Sequence, residues 1–185
     1  MTIRRQPVGS VFKVRENQPG RAGSRGTVVV SSMASDSHTW NLVYLQLLVE
    51  ELGFRVVNLG PCVPDDLLVE ACASTAPVLV VLSSVNGHGY QDGLRVVHKL
   101  RATPELAATP LVIGGKLAIT DEGAAQRMLD LTEAGFDAVF EDGNGALANF
   151  SAFVGSIPTA DRRIASGALG LPVAFDTGAG AGAAP

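Results

Sequence analysis

The sequence predicts an α/β fold in which helices cover both faces of a parallel β-sheet. Two observations support this prediction. From residue 27 onwards, short runs rich in Val, Leu and Ile alternate with longer segments that have apolar residues at helical spacing. A strand buried on both faces is a continuous apolar run, whereas a helix with one buried face repeats about every 3.6 residues. Regular alternation of such strands and helices is typical of sheets built from β-α-β units.

Each predicted strand is too short for a helix and is enriched in β-branched residues. Gly53 and Gly135 stand where a helix must turn back into a strand, a place that favours a left-handed backbone. Asp65 and Asp66 follow Pro64 and supply the acidic residues that favour a helix start. The predicted strands are 27–31, 55–58, 78–83, 110–113 and 137–140, and the predicted helices are 40–52, 64–75, 90–102, 121–134 and 144–156.

Right-handed crossovers leave few ways to arrange these units. We expect a doubly wound, five-stranded parallel sheet of the flavodoxin-like (Rossmann-like) class, with strand order 2-1-3-4-5. In open sheets of this class, ligands bind at the carboxyl ends of the strands, where the strand order reverses. Functional residues are therefore expected in the loops after strands one, three, four and five.

The chain of 185 residues is long enough for one such domain with an extension at each end. Residues 1–26 contain five arginines among Gly, Pro and Ser and have no apolar period, so we expect a flexible leader. Residues 158–185 end in an almost pure Gly and Ala segment and are expected to form a flexible tail. The folding unit is then 27–157.

Composition disfavours several classes of partner. The formal net charge of -4 and the isoelectric point near 5.3 argue against a nucleic-acid-binding surface. No apolar run approaches the ~20 residues of a membrane span, and the N-terminus has no apolar signal core. We therefore expect a cytoplasmic protein that binds no membrane, with Cys62 and Cys72 as reduced, structural thiols.

Four loops at the predicted ligand edge combine polar residues with glycines. Glycine lets a flat or phosphate-bearing ligand approach the backbone closely. After strand one, Asp36 and His38 are two residues apart, so a carboxylate could orient one imidazole nitrogen and leave the other for a metal. An Asp that caps a helix beside a solvent-facing His would give the same pattern. The four loops span 35–41, 83–89, 114–116 and 141–145.

Four motifs follow the predicted strands: Asp-x-His after strand one, Ser-Ser after strand three, Gly-Gly after strand four and Asp-Gly-Asn after strand five. Together, over roughly 27–150, they resemble the cobalamin-binding domain family. Members of this family bind the cofactor with the motif histidine on cobalt and the nucleotide tail threaded into the sheet. The resemblance implies that His38 is the metal ligand and that Asp36 is its hydrogen-bond partner. It implies as further cofactor-binding residues Ser37, Thr39, Asn41, Ser83, Val85, Asn86, Gly87, Gly114, Gly115, Gly143 and Asn144.

Within this family, the stretches 53–60, 83–89 and 113–115 resemble the small subunit of glutamate mutase, also called methylaspartate mutase. That resemblance implies an adenosylcobalamin-dependent isomerase that interconverts L-glutamate and 3-methylaspartate. This chain would bind the cofactor, a separate barrel-type catalytic subunit would bind the substrate, and no catalytic residue would lie on this chain, which would be inactive alone. Three positions depart from the pattern, because Asn41 replaces the motif glycine, Val85 replaces a leucine and Asn86 replaces a tyrosine.

Two other functions are compatible with the same resemblance. One is a corrinoid methyl carrier of a methyltransferase system, although such carriers usually have a helical bundle where this sequence has the leader. The other is a non-enzymatic cobalamin sensor or a domain that has lost the cofactor. Two fold relatives are disfavoured, because a phospho-receiver domain needs Asp where strand three ends in Ser83 and Ser84, and a flavodoxin needs a phosphate-binding loop after strand one.

Overall fold

The computed structural model describes residues 24–158. They form one parallel sheet with strand order β2-β1-β3-β4-β5, which confirms the predicted fold class and strand order. The strands are β1 (Thr27–Ser32), β2 (Arg55–Asn58), β3 (Leu79–Ser84), β4 (Leu111–Gly115) and β5 (Ala138–Glu141). The helices are α1 (Trp40–Glu51), α2 (Asp65–Thr75), α3 (Gly89–Ala102), α4 (Ala124–Ala134) and α5 (Ala146–Ser156), and a short 3-10 helix at Pro104–Leu106 was not predicted.

Alternate residues of the strands face two separate hydrophobic cores. In β3, Leu79 and Val81 share a core with residues of α1 and α5, whereas Val80 and Leu82 share a core with residues of α2, α3 and α4. All four side chains are buried. A strand places successive side chains on opposite faces, so helices on both faces require an apolar residue at nearly every position. This double burial explains the continuous apolar runs in the sequence.

The end of β4 differs from the prediction. We expected the strand to stop at Ile113 and the next two residues to form a loop, but β4 continues through Gly114 and Gly115. Both glycines pair with the ends of β3 and β5. Glycine has no side chain that could mark a buried strand, so the apolar signal ends before the strand does.

Two glycines end helices as predicted. The φ angles of Gly53 and Gly135 are +90° and +126°, in the region that favours glycine. At the start of α4 the prediction was wrong by three residues, since the helix begins at Ala124 and not at 121. Gly123, with a φ of +75°, lies immediately before it and is not helical.

Arg25 connects the first described residues to the last. Its guanidinium donates hydrogen bonds to the carbonyl oxygens of Leu52, Gly155 and Ile157, at 3.2, 2.8 and 2.6 Å. Leu52 follows the last turn of α1, and the other two acceptors lie at the end of α5. The described chain therefore begins and ends beside the carboxyl end of α1.

No helix within residues 24–158 is long and apolar enough to cross a membrane. Both cysteines are free, with Cys62 exposed and Cys72 buried. Burial raises the pKa of the Cys72 thiol to about 12. The leader was predicted as 1–26 and the tail as 158–185, and of these segments residues 1–23 and 159–185 lie outside the described residues.

Candidate cofactor site

The predicted site residues come from four segments at the carboxyl edge of the sheet, next to the point where the strand order reverses. This is the edge at which open α/β sheets bind ligands. The structure places Asp36, Ser37, His38 and Thr39 between β1 and α1, Asn41 in the first turn of α1, Ser83 in β3, Val85, Asn86 and Gly87 after β3, Gly114 and Gly115 at the end of β4, and Gly143 and Asn144 between β5 and α5.

Asp36 is the buried centre of this edge, with 0% of its surface exposed. Its Oδ1 accepts a hydrogen bond from the backbone N–H of His38 at 3.0 Å and lies 2.7 Å from Nδ1 of the same residue. Its Oδ2 accepts a hydrogen bond from the backbone N–H of Val85 at 2.6 Å. A buried carboxylate is stable only when donors surround it. Here one carboxylate joins the loop after β1 to the loop after β3.

The pKa of the Asp36 carboxyl is lowered from its usual value. Burial by itself would raise that pKa, because the carboxylate loses its hydration. The hydrogen bonds from the backbone N–H groups of His38 and Val85, and then from the His38 ring, together outweigh burial. Asp36 is therefore ionised at neutral pH and accepts the Nδ1–H of His38.

The His38 ring projects from this support, and its side chain is 59% exposed. Because Nδ1 faces Asp36, Nε2 is the ring nitrogen that can bind a metal. Within residues 24–158, no group of three or more His, Cys, Asp or Glu side chains could hold a metal ion.

Asn86 holds the loop after β3 against the loop after β1. Its Nδ2 donates to the carbonyl oxygen and to Oγ of Ser35, at 2.9 and 3.0 Å. Its Oδ1 accepts from Ser84 Oγ at 3.0 Å and from the backbone N–H of His88 at 2.9 Å. Ser35 also donates to Asp92 of α3, which is buried. Contact of Asn86 with a cofactor stays a prediction, but its hydrogen bonds give it a role in positioning both loops.

Sequence analysis missed the part that Ser35 and Asp92 play in this network. Ser35 lies within a loop that we singled out, although nothing in its spacing points to a partner. Asp92 stands in a helical pattern, where a single acidic residue is typical of an exposed face. In the structure, Arg95 donates to Asp92 at 2.6 Å and to Asp65 at 2.7 Å, so the network continues to α2.

A cavity of about 230 Å³ lies between α1 and α5, over the ends of β3 and β4. The predicted residues that line it are Asn41, Ser83, Val85, Gly114, Gly115 and Gly143. Sequence analysis missed its other walls, which are mostly apolar: Tyr44, Leu45, Val81, Leu82, Val112, Ile113, Phe140, Asp142, Ala146, Leu147 and Phe150. Val85 connects this cavity to the support of His38, because its backbone N–H donates a hydrogen bond to Asp36.

Asn41 is a polar residue of α1 that lines this cavity. Its Nδ2 donates to Ser83 Oγ at 2.9 Å, and its Oδ1 is buried with no hydrogen-bond partner among the described residues. Leaving a buried acceptor unsatisfied costs about 1–3 kcal/mol, which a donor on a bound molecule would recover. An exposed imidazole on a rigid support, a mostly apolar cavity close to it and an open acceptor fit a metal-containing cofactor with an organic tail.

Comparison with known proteins agrees with this chemistry. Residues 26–151 match the family described as the B12 binding domain. The glutamate mutase sigma subunit of Halobacterium salinarum is 33% identical over 135 residues, which cover 72% of this chain and 85% of that protein. The glutamate mutase sigma subunit of Escherichia coli O157:H7 is 30% identical over 116 residues, which cover 63% of this chain and 77% of that protein.

Solved structures share the fold at lower identity. A cobalamin-binding protein from Desulfitobacterium hafniense superimposes with a TM-score of 0.55 at 23% identity, over 71% of this chain and 59% of that chain. A receiver domain of a histidine kinase from Syntrophus aciditrophicus superimposes with a TM-score of 0.51 at 16% identity, over 81% of this chain and 99% of that chain. The architecture thus occurs in proteins of different function, and the family follows from the sequence match over the whole sheet. The chain belongs to the B12-binding, or cobalamin-binding, domain family.

Proposed function

We propose that this chain is the cobalamin-binding small subunit of an adenosylcobalamin-dependent carbon-skeleton mutase. The reaction proposed is that of glutamate mutase, which interconverts L-glutamate and 3-methylaspartate. The chain would act in the cytoplasm together with a separate, barrel-type catalytic subunit. The observation that carries the proposal is the exposed His38 ring held by the buried carboxylate of Asp36 at 2.7 Å. The names of the relatives, glutamate mutase sigma subunits, support the choice of reaction.

The residues of this chain would hold the cofactor and leave the substrate to the partner. His38 would bind cobalt through Nε2, and Asp36 would keep the ring oriented and increase its basicity. The cavity between α1 and α5 would take the nucleotide tail against Asn41 and Ser83. When bound, adenosylcobalamin supplies a cobalt–carbon bond whose homolysis starts radical chemistry. The chain would contribute a cobalt ligand from His38, the orientation of the cofactor and one side of the site.

Replacing His38 by Ala tests whether this residue is the cobalt ligand. The protein, labelled with ¹⁵N-histidine, is loaded with Co(II) cobalamin, and electron paramagnetic resonance spectra are recorded. We expect the superhyperfine splitting of the wild type to show coupling to ¹⁵N, because a protein nitrogen has replaced the cofactor's own ¹⁴N base. In His38→Ala this coupling should disappear and affinity should fall about 10- to 100-fold. His98→Ala, which removes an exposed histidine of α3, is the matched control.

Persistent ¹⁴N coupling in the labelled wild-type protein would refute the ligand assignment, because the cofactor would then keep its own base. The same proteins test the reaction when mixed with the barrel subunit. We expect the wild type, and not His38→Ala, to support conversion of L-glutamate to 3-methylaspartate. Normal ¹⁵N coupling without this conversion would leave the cofactor site intact and overturn only the proposed reaction.

A second substitution tests whether the cavity between α1 and α5 binds the nucleotide tail. Ala146 lines the cavity, whereas Ala148 is exposed on the same helix and does not line it. We expect Ala146→Phe to fill the space for the tail and to weaken cobalamin binding at least about tenfold, or about 1.4 kcal/mol. Binding of cobinamide, which lacks the nucleotide tail, should not change, and Ala148→Phe should affect neither ligand. Equal weakening of both ligands by Ala146→Phe would show that the tail does not enter this cavity.

A further inference from the structure

Asp92 is a buried carboxylate in the first turn of α3, and only 7% of its surface is exposed. An aspartate is rarely buried unless donors surround it. Both oxygens of Asp92 accept hydrogen bonds: Oδ1 accepts one from Arg95 at 2.6 Å, and Oδ2 accepts one from Ser35 Oγ. This carboxylate therefore faces the loop after β1, although it belongs to a helix on one side of the sheet.

Arg95 determines which oxygen of Asp92 is available to the loop. Its guanidinium donates from Nη1 to Oδ1 of Asp92, and from Nε to Asp65 of α2 at 2.7 Å. The N–H groups of a guanidinium lie in one plane, so the two carboxylates that bind it are restricted in orientation. Because Oδ1 of Asp92 is engaged in this ion pair, Oδ2 is the oxygen that accepts from Ser35.

Ser35 connects this carboxylate to the loop that contains His38. Its hydroxyl oxygen accepts a hydrogen bond from Nδ2 of Asn86 at 3.0 Å, and an amide N–H can only donate. The hydroxyl hydrogen of Ser35 is thus left to be donated, and Oδ2 of Asp92 accepts it. Because Ser35 immediately precedes Asp36, this contact fixes the chain directly before the residue that orients the His38 ring.

The second half of the same loop has no comparable support from side chains. Neither Ser37 nor Thr39 makes a side-chain hydrogen bond among residues 24–158. The His38 ring bonds to Asp36, which lies two residues earlier in the loop. The position of the ring therefore depends on how firmly the first half of the loop is held.

We propose that Asp92 is a positioning residue for the cobalt ligand and that it acts on His38 through Ser35. The inference rests on the proposed function, because it assigns Asp92 a role toward a cofactor bound by His38. Asp92 does not line the cavity between α1 and α5, and its hydrogen bond to the loop reaches Ser35 and not the ring. It holds the loop in one conformation before the cofactor arrives, and a preorganised site loses less conformational freedom on binding.

Asp92→Asn keeps the shape of the side chain but replaces one acceptor by a donor. Arg95 needs an acceptor, so the amide oxygen should face Arg95 and the amide N–H should face Ser35, whose hydroxyl then has no acceptor. Replacing a group that supports a metal ligand directly lowers affinity about 10- to 100-fold. Asp92 acts one residue further away, so we expect the dissociation constants of Co(II) cobalamin and of cobinamide to rise about three- to tenfold. Both should rise alike, because both ligands bind through His38 and the cavity for the tail is unchanged.

The route through Ser35 is tested by a double-mutant cycle on the full-length protein. Ser35 is exposed, so Ser35→Ala should fold normally, and it should weaken the binding of both ligands. In the Ser35→Ala background, Asp92→Asn should weaken binding no further, since its effect needs the hydroxyl. Electron paramagnetic resonance of the saturated proteins gives a second measurement: in Asp92→Asn, a smaller fraction of the bound Co(II) should show coupling to ¹⁵N-histidine.

Asp130→Asn is the matched control for Asp92→Asn. Asp130 of α4 also accepts a hydrogen bond from a hydroxyl, that of Tyr90 at 2.6 Å, but it makes no hydrogen bond to the loop after β1. Its replacement should leave the binding of both ligands unchanged, and equal weakening in this control would overturn the positioning role. Unchanged binding in Asp92→Asn, or a full additional loss in the Ser35→Ala background, would also overturn it. In either case ¹⁵N coupling in the wild type would leave the proposed function standing, whereas its absence there would overturn the proposed function itself.

Discussion

The free energy of unfolding of Asp36→Ala is expected to be about 3 kcal/mol lower than that of the wild type. The substitution removes the acceptor of the backbone N–H groups of Val85 and His38, which are partly buried, and each such donor left without a partner costs about 1–3 kcal/mol. Denaturant unfolding followed by far-ultraviolet circular dichroism measures this loss. Because Asp36 joins the loops after β1 and β3, its removal also releases the ring that we propose as the cobalt ligand.

His38→Ala is the matched control for stability. The His38 side chain is mostly exposed, so its removal should change the free energy of unfolding by less than about 1 kcal/mol. The pair thus separates the residue that supports the site from the residue that we propose as the metal ligand. A loss in Asp36→Ala no larger than in His38→Ala would contradict the view that this carboxylate stabilises both loops.

The second large effect is expected for Gly115→Ala, which should lower the free energy of unfolding by about 4 kcal/mol or more. Gly115 has a φ of +93°, and a Cβ at this position would lie 2.2 Å from the carbonyl oxygen of Ser84. The obstacle is backbone of the neighbouring strand, which cannot move aside without separating β3 from β4. Thermal and denaturant unfolding should both show the loss.

Gly145→Ala provides the comparison for this substitution. Gly145 has a φ of +86°, similar to that of Gly115, but a Cβ there would meet nothing within 4 Å. Its replacement should cost only about 1–2 kcal/mol, the price of a left-handed conformation for alanine. The difference between the two variants measures the clash alone. Equal losses would show that β3 and β4 can separate enough to accept a side chain.

The strand order could be predicted from the sequence because it depends on a rule of chain geometry, the right-handed crossover, and not on individual contacts. The pairing of Asp36 with His38 could be proposed because both belong to one short loop. The hydrogen bond from Val85 to Asp36 could not be predicted, since the donor is a backbone N–H that almost any residue would supply. Such contacts join residues far apart in the sequence and cannot be predicted from residue types.

The cavity shows another limit of prediction from the sequence. Leu45 and Phe150 have the spacing of helix residues that face a core, and both line the cavity. Whether an apolar side chain fills the interior or borders a space depends on how far α1 stands from α5, and residue spacing does not encode this distance. Gly114 and Gly115 were recognised as important but assigned to a loop, and the backbone contacts that require glycine there appear only in the folded sheet.

The division between buried Asp36 and exposed His38 has a consequence for the evolution of such domains. The side chain proposed to bind the metal contributes little to folding, and the carboxylate that orients it is part of the interior. A lineage can therefore lose the cofactor through one surface substitution and still retain a well-folded sheet. Where the aspartate persists after the histidine has gone, the support for the ring is still in place, and restoring the histidine is expected to restore binding.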